Sequence, residues 1–182
     1  AQNGVAGRLP IIAVDEIERK NVRVVFQGVE GAYSQAAMKA YFGEEISTFH
    51  VEQWRDAMEA IAEGSADFAV LPIENSTAGS VNDMYDLLVE FENYIVGEQI
   101  IRCCHELLGV PGASLADIKT VYSHPQALSQ CRPYLEDHRE WKQVPVENTA
   151  VAAKKVAEEN DKTQAAIDSG FAGECFGLDV LA

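Results

Sequence analysis

The run Glu74-Asn75-Ser76-Thr77-Ala78-Gly79-Ser80 sets a carboxylate, an amide and three hydroxyls between an apolar, strand-like stretch, Phe68 to Ile73, and an amphipathic helix. A helix N-terminus presents unpaired N–H groups and a partial positive charge, so such a corner can bind an anion while its carboxylate handles a proton. Four more strand-to-helix junctions carry small hydroxyl or amide residues: Gly28 to Ser34, Ser123-His124-Pro125-Gln126, Asn148-Thr149-Ala150 and Ser169-Gly170. One such junction needs no ligand, because Ser, Thr and Asn cap helices in any α/β protein. Five of them, gathered beyond the carboxyl ends of the strands of an open sheet, point to a cleft for a small anion.

Each candidate has a plain structural reading beside the functional one. Glu74 can be an acid or base, or a cap that orients its neighbours. His124 titrates near neutral pH, yet its place between Ser123 and Pro125 suits a turn. Tyr33 can wall the cleft or simply pack, Asp83 and Asp86 face solvent or cap locally, and Trp54 and Trp141 belong to the core. Gly28 and Gly31 form neither a dinucleotide fingerprint nor a Walker loop, so no nucleotide is indicated.

Alternating strand and helix signals position these corners. Strands are expected at Val22 to Gln27, Ile46 to Val51, Phe68 to Ile73, Thr120 to Ser123, Trp141 to Val146 and Gln164 to Asp168. Helices are expected at Ser34 to Phe42, Trp54 to Glu63, Ser80 to Phe91, Leu115 to Ile118, Gln126 to Leu135, Thr149 to Asn160 and Phe171 to Phe176. Tyr94 to Val110 reads as extended and too long for one ordinary strand, the pattern of a segment running from one lobe into another. The pattern predicts an α/β fold with a mostly parallel sheet. Residues 1–21 read as a linker or N-terminal extension, 22–98 as a first lobe, 99–177 as a second, and 178–182 as the start of a return to the first.

Composition limits the partners. Fourteen Lys+Arg against 29 Asp+Glu give a net charge of -15, which repels nucleic acid and anionic membrane. A bound anion must therefore be held by helix ends, N–H groups and a few placed side chains. With 47% hydrophobic residues and 24% charged, and with no membrane-spanning run or signal pattern, a cytoplasmic globular protein is expected. Cys103, Cys104, Cys131 and Cys175 lack metal-ligand spacing and read as reduced packing thiols, and His105 reads as a strand histidine.

In this order the motifs resemble the prephenate dehydratase family. They are Phe26-Gln27-Gly28 to Gly31-Ala32-Tyr33-Ser34, Pro72 to Ser76, Gly79 to Leu88, Ile95-Val96-Gly97-Glu98, and Val121 to Ala127 with Gln130-Cys131. Thr149-Ala150, Ala152-Ala153, Ala165-Ala166-Ile167, Ser169 and Gly177-Leu178 complete the match, which runs from Val22 to Ala182. The resemblance implies a two-lobed fold like that of type II periplasmic binding proteins, with the ligand cleft between the lobes. It implies conversion of prephenate to phenylpyruvate with loss of carbon dioxide and water, in phenylalanine biosynthesis, without a metal or organic cofactor. Substrate-binding roles fall on Asn75, Ser76, Thr77, Ser123, Gln126, Thr149, Ala150 and Ser169, with Glu74 as orienting partner. A homodimer and a downstream ACT domain in the full-length protein are implied, and the N-terminal linker is compatible with an upstream chorismate mutase domain, as in bifunctional members. Two features depart from the family. Asp168 stands where a small residue is usual, and the family's Thr-Arg-Phe motif does not occur through Ala182. The proton donor is accordingly expected beyond Ala182, and the 182-residue chain is expected to be inactive alone. Arogenate is the related alternative substrate, and a non-catalytic module binding a small carboxylate is the alternative from another class.

Overall fold

The computed structural model describes residues 18–75, 79–80 and 82–182. Two sheets organise the chain. The first has the order β2-β1-β3, from β1 (Arg23–Gln27), β2 (Ser47–Val51) and β3 (Phe68–Val70), and is parallel throughout. Two helices cover it, α1 (Tyr33–Phe42) and α2 (Trp54–Ala62). Alternate residues of β1 feed opposite faces, as a strand requires. Val24 and Phe26 pack with Met38 of α1, while Val25 packs with Ala57 and Ala60 of α2.

The expected strand from Phe68 to Ile73 ends early, at Val70. Pro72 lies just beyond and has no N–H for a ladder. Glu74–Asn75 and Gly79–Ser80 then form a short antiparallel pair, β4 and β5, which the sequence did not suggest. Helix α3 follows at Asn82–Glu90 rather than from Ser80.

The second sheet has the order β10-β6-β9-β7-β8. Its strands are β6 (Glu106–Gly109), β7 (Thr120–Ser123), β8 (Lys142–Pro145), β9 (Gln164–Asp168) and β10 (Asp179–Val180). The expectation of a mostly parallel sheet fails here: β7 is parallel to β8 and β9, but β6 is antiparallel to β9 and β10. The long extended segment contributes only β6, so Cys103 and Cys104 lie outside any strand and are exposed. They are not packing thiols. Cys131 does pack, against the core beside α4.

At the C-terminal end, β10 forms the edge of this second sheet. Leu107 donates to the carbonyl of Ala182 at 2.8 Å, and Leu181 donates to that of Leu107 at 2.7 Å. Buried Leu178 anchors the turn, and Leu181 fills the space above Gly109, where a Cβ would stand 2.7 Å from its Cδ1.

The expected helix from Gln126 to Leu135 is two, α4 (Pro125–Gln130) and α5 (Arg132–Glu136). Pro133 cannot donate along a continuous helix and would clash with the preceding turn. Two further helices, α6 (Thr149–Glu159) and α7 (Gly170–Phe176), cover the other face of the sheet. Asn148 caps α6 through Val151 N–H at 2.8 Å, and Asn160, in the left-handed conformation, ends it. Trp141 is buried and stacks on His138, whereas Trp54 is half-buried. Among the described residues no helix is long and apolar enough to cross a membrane.

Candidate functional site

Adjacent strands β7 and β9 run parallel, yet the chain leaves them toward opposite faces. After β7 it enters α4, whose Ala127 packs with Val121 and Ile167. After β9 it enters α7, whose Ala172 packs with Ala166 and Leu108. A crevice opens at the carboxyl ends of strands where helices diverge in this way, the usual ligand position in open α/β sheets. Asp168 ends β9 at this point and Ser169 follows as the cap of α7, and the N-terminal end of β6 lies beside them because Glu106 and Asp168 are register partners.

The first sheet meets this edge through the start of α1. The Tyr33 hydroxyl donates to the carbonyl of Cys104 at 3.3 Å. Gly31, at φ +86, lies so close to Phe176 that a Cβ would stand 2.7 Å from its Cε2. A positive φ and a missing side chain are both needed there, which is why the position takes glycine. Burial pushes the Tyr33 phenol well above its ordinary range, and Cys103, Asp168, Cys104 and Glu106 add to the effect. Tyr33 is thus part of the seam between the sheets as well as a packing residue.

Asp168 is the unusual group. Its side chain is 1% exposed; Oδ1 accepts the Ser169 N–H at 2.7 Å, but Oδ2 has no hydrogen-bond partner. Burial pushes this carboxyl up to about 6, against the opposing pull of the Ser169 N–H, the Thr149 side chain and His105. The Thr149 hydroxyl attracts the carboxylate without completing a hydrogen bond to Oδ2. His105 precedes β6 rather than lying in it. Its Nε2 meets Gln130 Oε1 at 2.6 Å, and its Nδ1 is buried without a partner. Glu106 extends toward Gly170, where a Cβ would stand 2.6 Å from Oε2.

Of the residues expected to bind ligand, the fold brings Thr149 and Ser169 to Asp168. Ser169 caps α7 through Ala172 N–H at 3.1 Å, and Ala150 is buried at the start of α6. Ser123 ends the neighbouring strand, but its hydroxyl is wholly buried and donates to the carbonyl of Ile167 at 2.7 Å. It ties β7 to β9. Gln126 is exposed, and its N–H donates to His124 Nδ1 at 3.1 Å, which makes His124 the cap of α4. Glu74 is exposed in β4, and Asn75 is its neighbour in that strand. Ser76 and Thr77 lie outside the described residues. Sequence reasoning missed Glu106 altogether, because its pairing with Asp168 depends on strand register. Among the described residues no cluster of His, Cys, Asp and Glu is arranged to hold a metal ion.

Comparison with known proteins matches residues 24–182 to the family model described as prephenate dehydratase. The bifunctional chorismate mutase/prephenate dehydratase of Escherichia coli (strain K12) is 36% identical over 171 residues, covering 92% of this chain and 44% of that protein. Arogenate dehydratase/prephenate dehydratase 1, chloroplastic, of Arabidopsis thaliana is 43% identical over 162 residues, covering 88% of this chain and 41% of its own length. The chain therefore spans less than half of these curated relatives. Among solved structures, GqqA, described as a novel type of quorum quenching acylase, superposes with a TM-score of 0.79 at 36% identity, covering 88% of this chain and 58% of that one.

Proposed function

Because the chain belongs to the prephenate dehydratase family, we propose that the protein converts prephenate to phenylpyruvate, releasing carbon dioxide and water, as a step of phenylalanine biosynthesis. The observation that carries this reading is the family match over residues 24–182. The site supports it. Loss of the ring carboxylate and hydroxyl together restores aromaticity, so the protein's task is to orient two carboxylates and to manage one proton. The N-terminal turn of α6, with the Thr149 hydroxyl and the N–H groups of Thr149 and Ala150, suits one carboxylate, since the first N–H groups of a helix have no intrahelical acceptor. Ser169 extends that surface. Asn75, Ser76 and Thr77 position the ligand from the first lobe, Glu74 orients them, and Gln126 flanks the crevice. Ser123 acts by holding β7 to β9.

In the same reading residues 22–98 and 99–177 form the two lobes, and the protein is a cytoplasmic homodimer. Its full-length form carries a chorismate mutase domain upstream, as the Escherichia coli relative's description supports, and an ACT domain downstream. Phenylpyruvate release from prephenate by the full-length protein tests the activity, and light scattering tests the dimer. A protein that releases no phenylpyruvate but cleaves an acyl amide would overturn the reading in favour of the activity named for GqqA.

A further inference from the structure

The segment that leads into β6 puts Cys103 and Cys104 side by side, both free and exposed. They lie outside any strand, so the alternation that sends neighbouring side chains to opposite faces is not imposed on them. The two thiols feel one another: burial first, and Cys104 second, push the Cys103 thiol up. The pair also sits on the seam between the two sheets. The Tyr33 hydroxyl of α1 donates to the carbonyl of Cys104 at 3.3 Å, and His105, the next residue, meets Gln130 of α4 at 2.6 Å. The other two cysteines have no such neighbour in sequence. Cys131 ends α4 and Cys175 lies in α7, each half-buried.

These surroundings select among the reactions open to two adjacent thiols. Attack on a peroxide needs a thiolate, which a thiol pushed up by burial seldom supplies. A disulfide between neighbours is strained, because Cα atoms joined by a trans peptide stand about 3.8 Å apart whereas a disulfide prefers about 4.4–6.8 Å. A zinc ion takes four ligands, and among the described residues no group of three or more His, Cys, Asp or Glu is arranged to hold a metal. A trivalent arsenic centre that carries one organic group takes two sulfurs and no more, is soft enough to prefer them, and spans them without an S–S bond. We propose that Cys103 and Cys104 form a dithiol site for a trivalent arsenical, and that filling it inhibits the protein by disturbing the seam. The inhibition rests on the dehydratase reading of the protein, whereas the dithiol site does not. The chemistry is an exchange with no change of oxidation state. Two S–H bonds and the arsenic–oxygen double bond of an organoarsine oxide break, two As–S bonds form, and the two protons leave with the oxygen as one water. The product is a small ring that includes the peptide between the two cysteines. Closing that ring fixes the dihedral angles on either side of the peptide, which shifts the Cys104 carbonyl away from Tyr33 and pulls on His105. Both of those side chains lie within electrostatic reach of Asp168 at the crevice, so the disturbance reaches the site.

The test treats the full-length protein with phenylarsine oxide and counts bound arylarsine by intact-mass spectrometry, for wild type, Cys103→Ser, Cys104→Ser and Cys131→Ser. Wild type and Cys131→Ser are expected to hold an arylarsine that survives excess glutathione, a monothiol, and leaves with ethanedithiol. Either Ser at 103 or 104 leaves a single As–S bond and should weaken retention against glutathione by about a hundredfold, because the second bond forms intramolecularly. Loaded wild type should lose most of its phenylpyruvate release from prephenate and regain it with ethanedithiol. Unloaded Cys104→Ser should turn over as wild type does and resist the reagent, since neither thiol belongs to the binding machinery. Wild type that holds no glutathione-resistant arylarsine, or a Ser variant at 103 or 104 that holds it as firmly as wild type, overturns the dithiol site. Full turnover by loaded wild type overturns the inhibition. Absence of turnover before loading sinks the dehydratase reading, and the mass measurement still decides the site.

Discussion

Replacing Asp168 by Asn should stabilise the protein, and the size of the gain should depend on pH. The carboxyl sits at about 6 in the folded protein against an ordinary 3.8. That interval corresponds to about 3 kcal/mol of preference for the neutral acid in the folded state. The folded value is raised, so the group's contribution is most favourable below the unfolded value and is lost as pH rises through the folded one. An Asn amide keeps the acceptor for the Ser169 N–H and carries no charge at any pH. Linkage then gives Asp168→Asn a gain of about 3 kcal/mol at pH 8, about half of that at pH 5 and close to none at pH 3.5. For a chain of this length 3 kcal/mol is about 6–12 °C in Tm. Urea midpoints of the two proteins at pH 5, 6, 7 and 8, together with thermal melts, measure the difference. A variant less stable than wild type at pH 8, or a gain of equal size at pH 5 and pH 8, would refute the argument, because an uncompensated buried carboxylate predicts neither.

Ser123→Ala removes the buried hydroxyl that reaches the carbonyl of Ile167, and should cost about 1–3 kcal/mol in chemical denaturation, more than an exposed Ser→Ala change. Gly31→Ala forces an L residue to φ +86 against Phe176; the backbone alone should cost about 1–2 kcal/mol. The double variant Gly31→Ala with Phe176→Ala should lose less than the sum of the single losses, a coupling measurable in a double-mutant cycle. Asn148→Ala deletes the cap of α6 and should lower stability by about 1 kcal/mol. It should also weaken carboxylate ligands in calorimetry, because the first turn that receives them frays.

Much of the local structure is legible in the residues. The apolar alternation of β1, the Asn148 and Ser169 caps and the breaks at Gly43 and Gly177 each act within a few residues, so the elements near them fall close to their expected bounds. Where the reading failed, the competing cause was a proline or a distant partner. Pro133 split one helix and Pro72 closed a strand. The short pair β4 and β5 has its cause outside local propensity too, and the edge strand β10 is fixed by buried Leu178 beside Leu108 and half-buried Leu181 above Gly109, contacts separated by about seventy positions.

The same division holds for the site. The chemical types at the corners, the acidic balance that forces an anion to be held by helix ends, and the order of motifs that marks the family are all present in the linear chain. Which corners meet depends on the folded chain, which has three consequences here. It turned Ser123 inward as a strand tie, brought Tyr33 of the first sheet to the start of β6, and set Glu106 opposite Asp168 while leaving Oδ2 unpartnered. Strand register and burial are long-range quantities, so the state of one carboxylate cannot be read until the chain around it has closed.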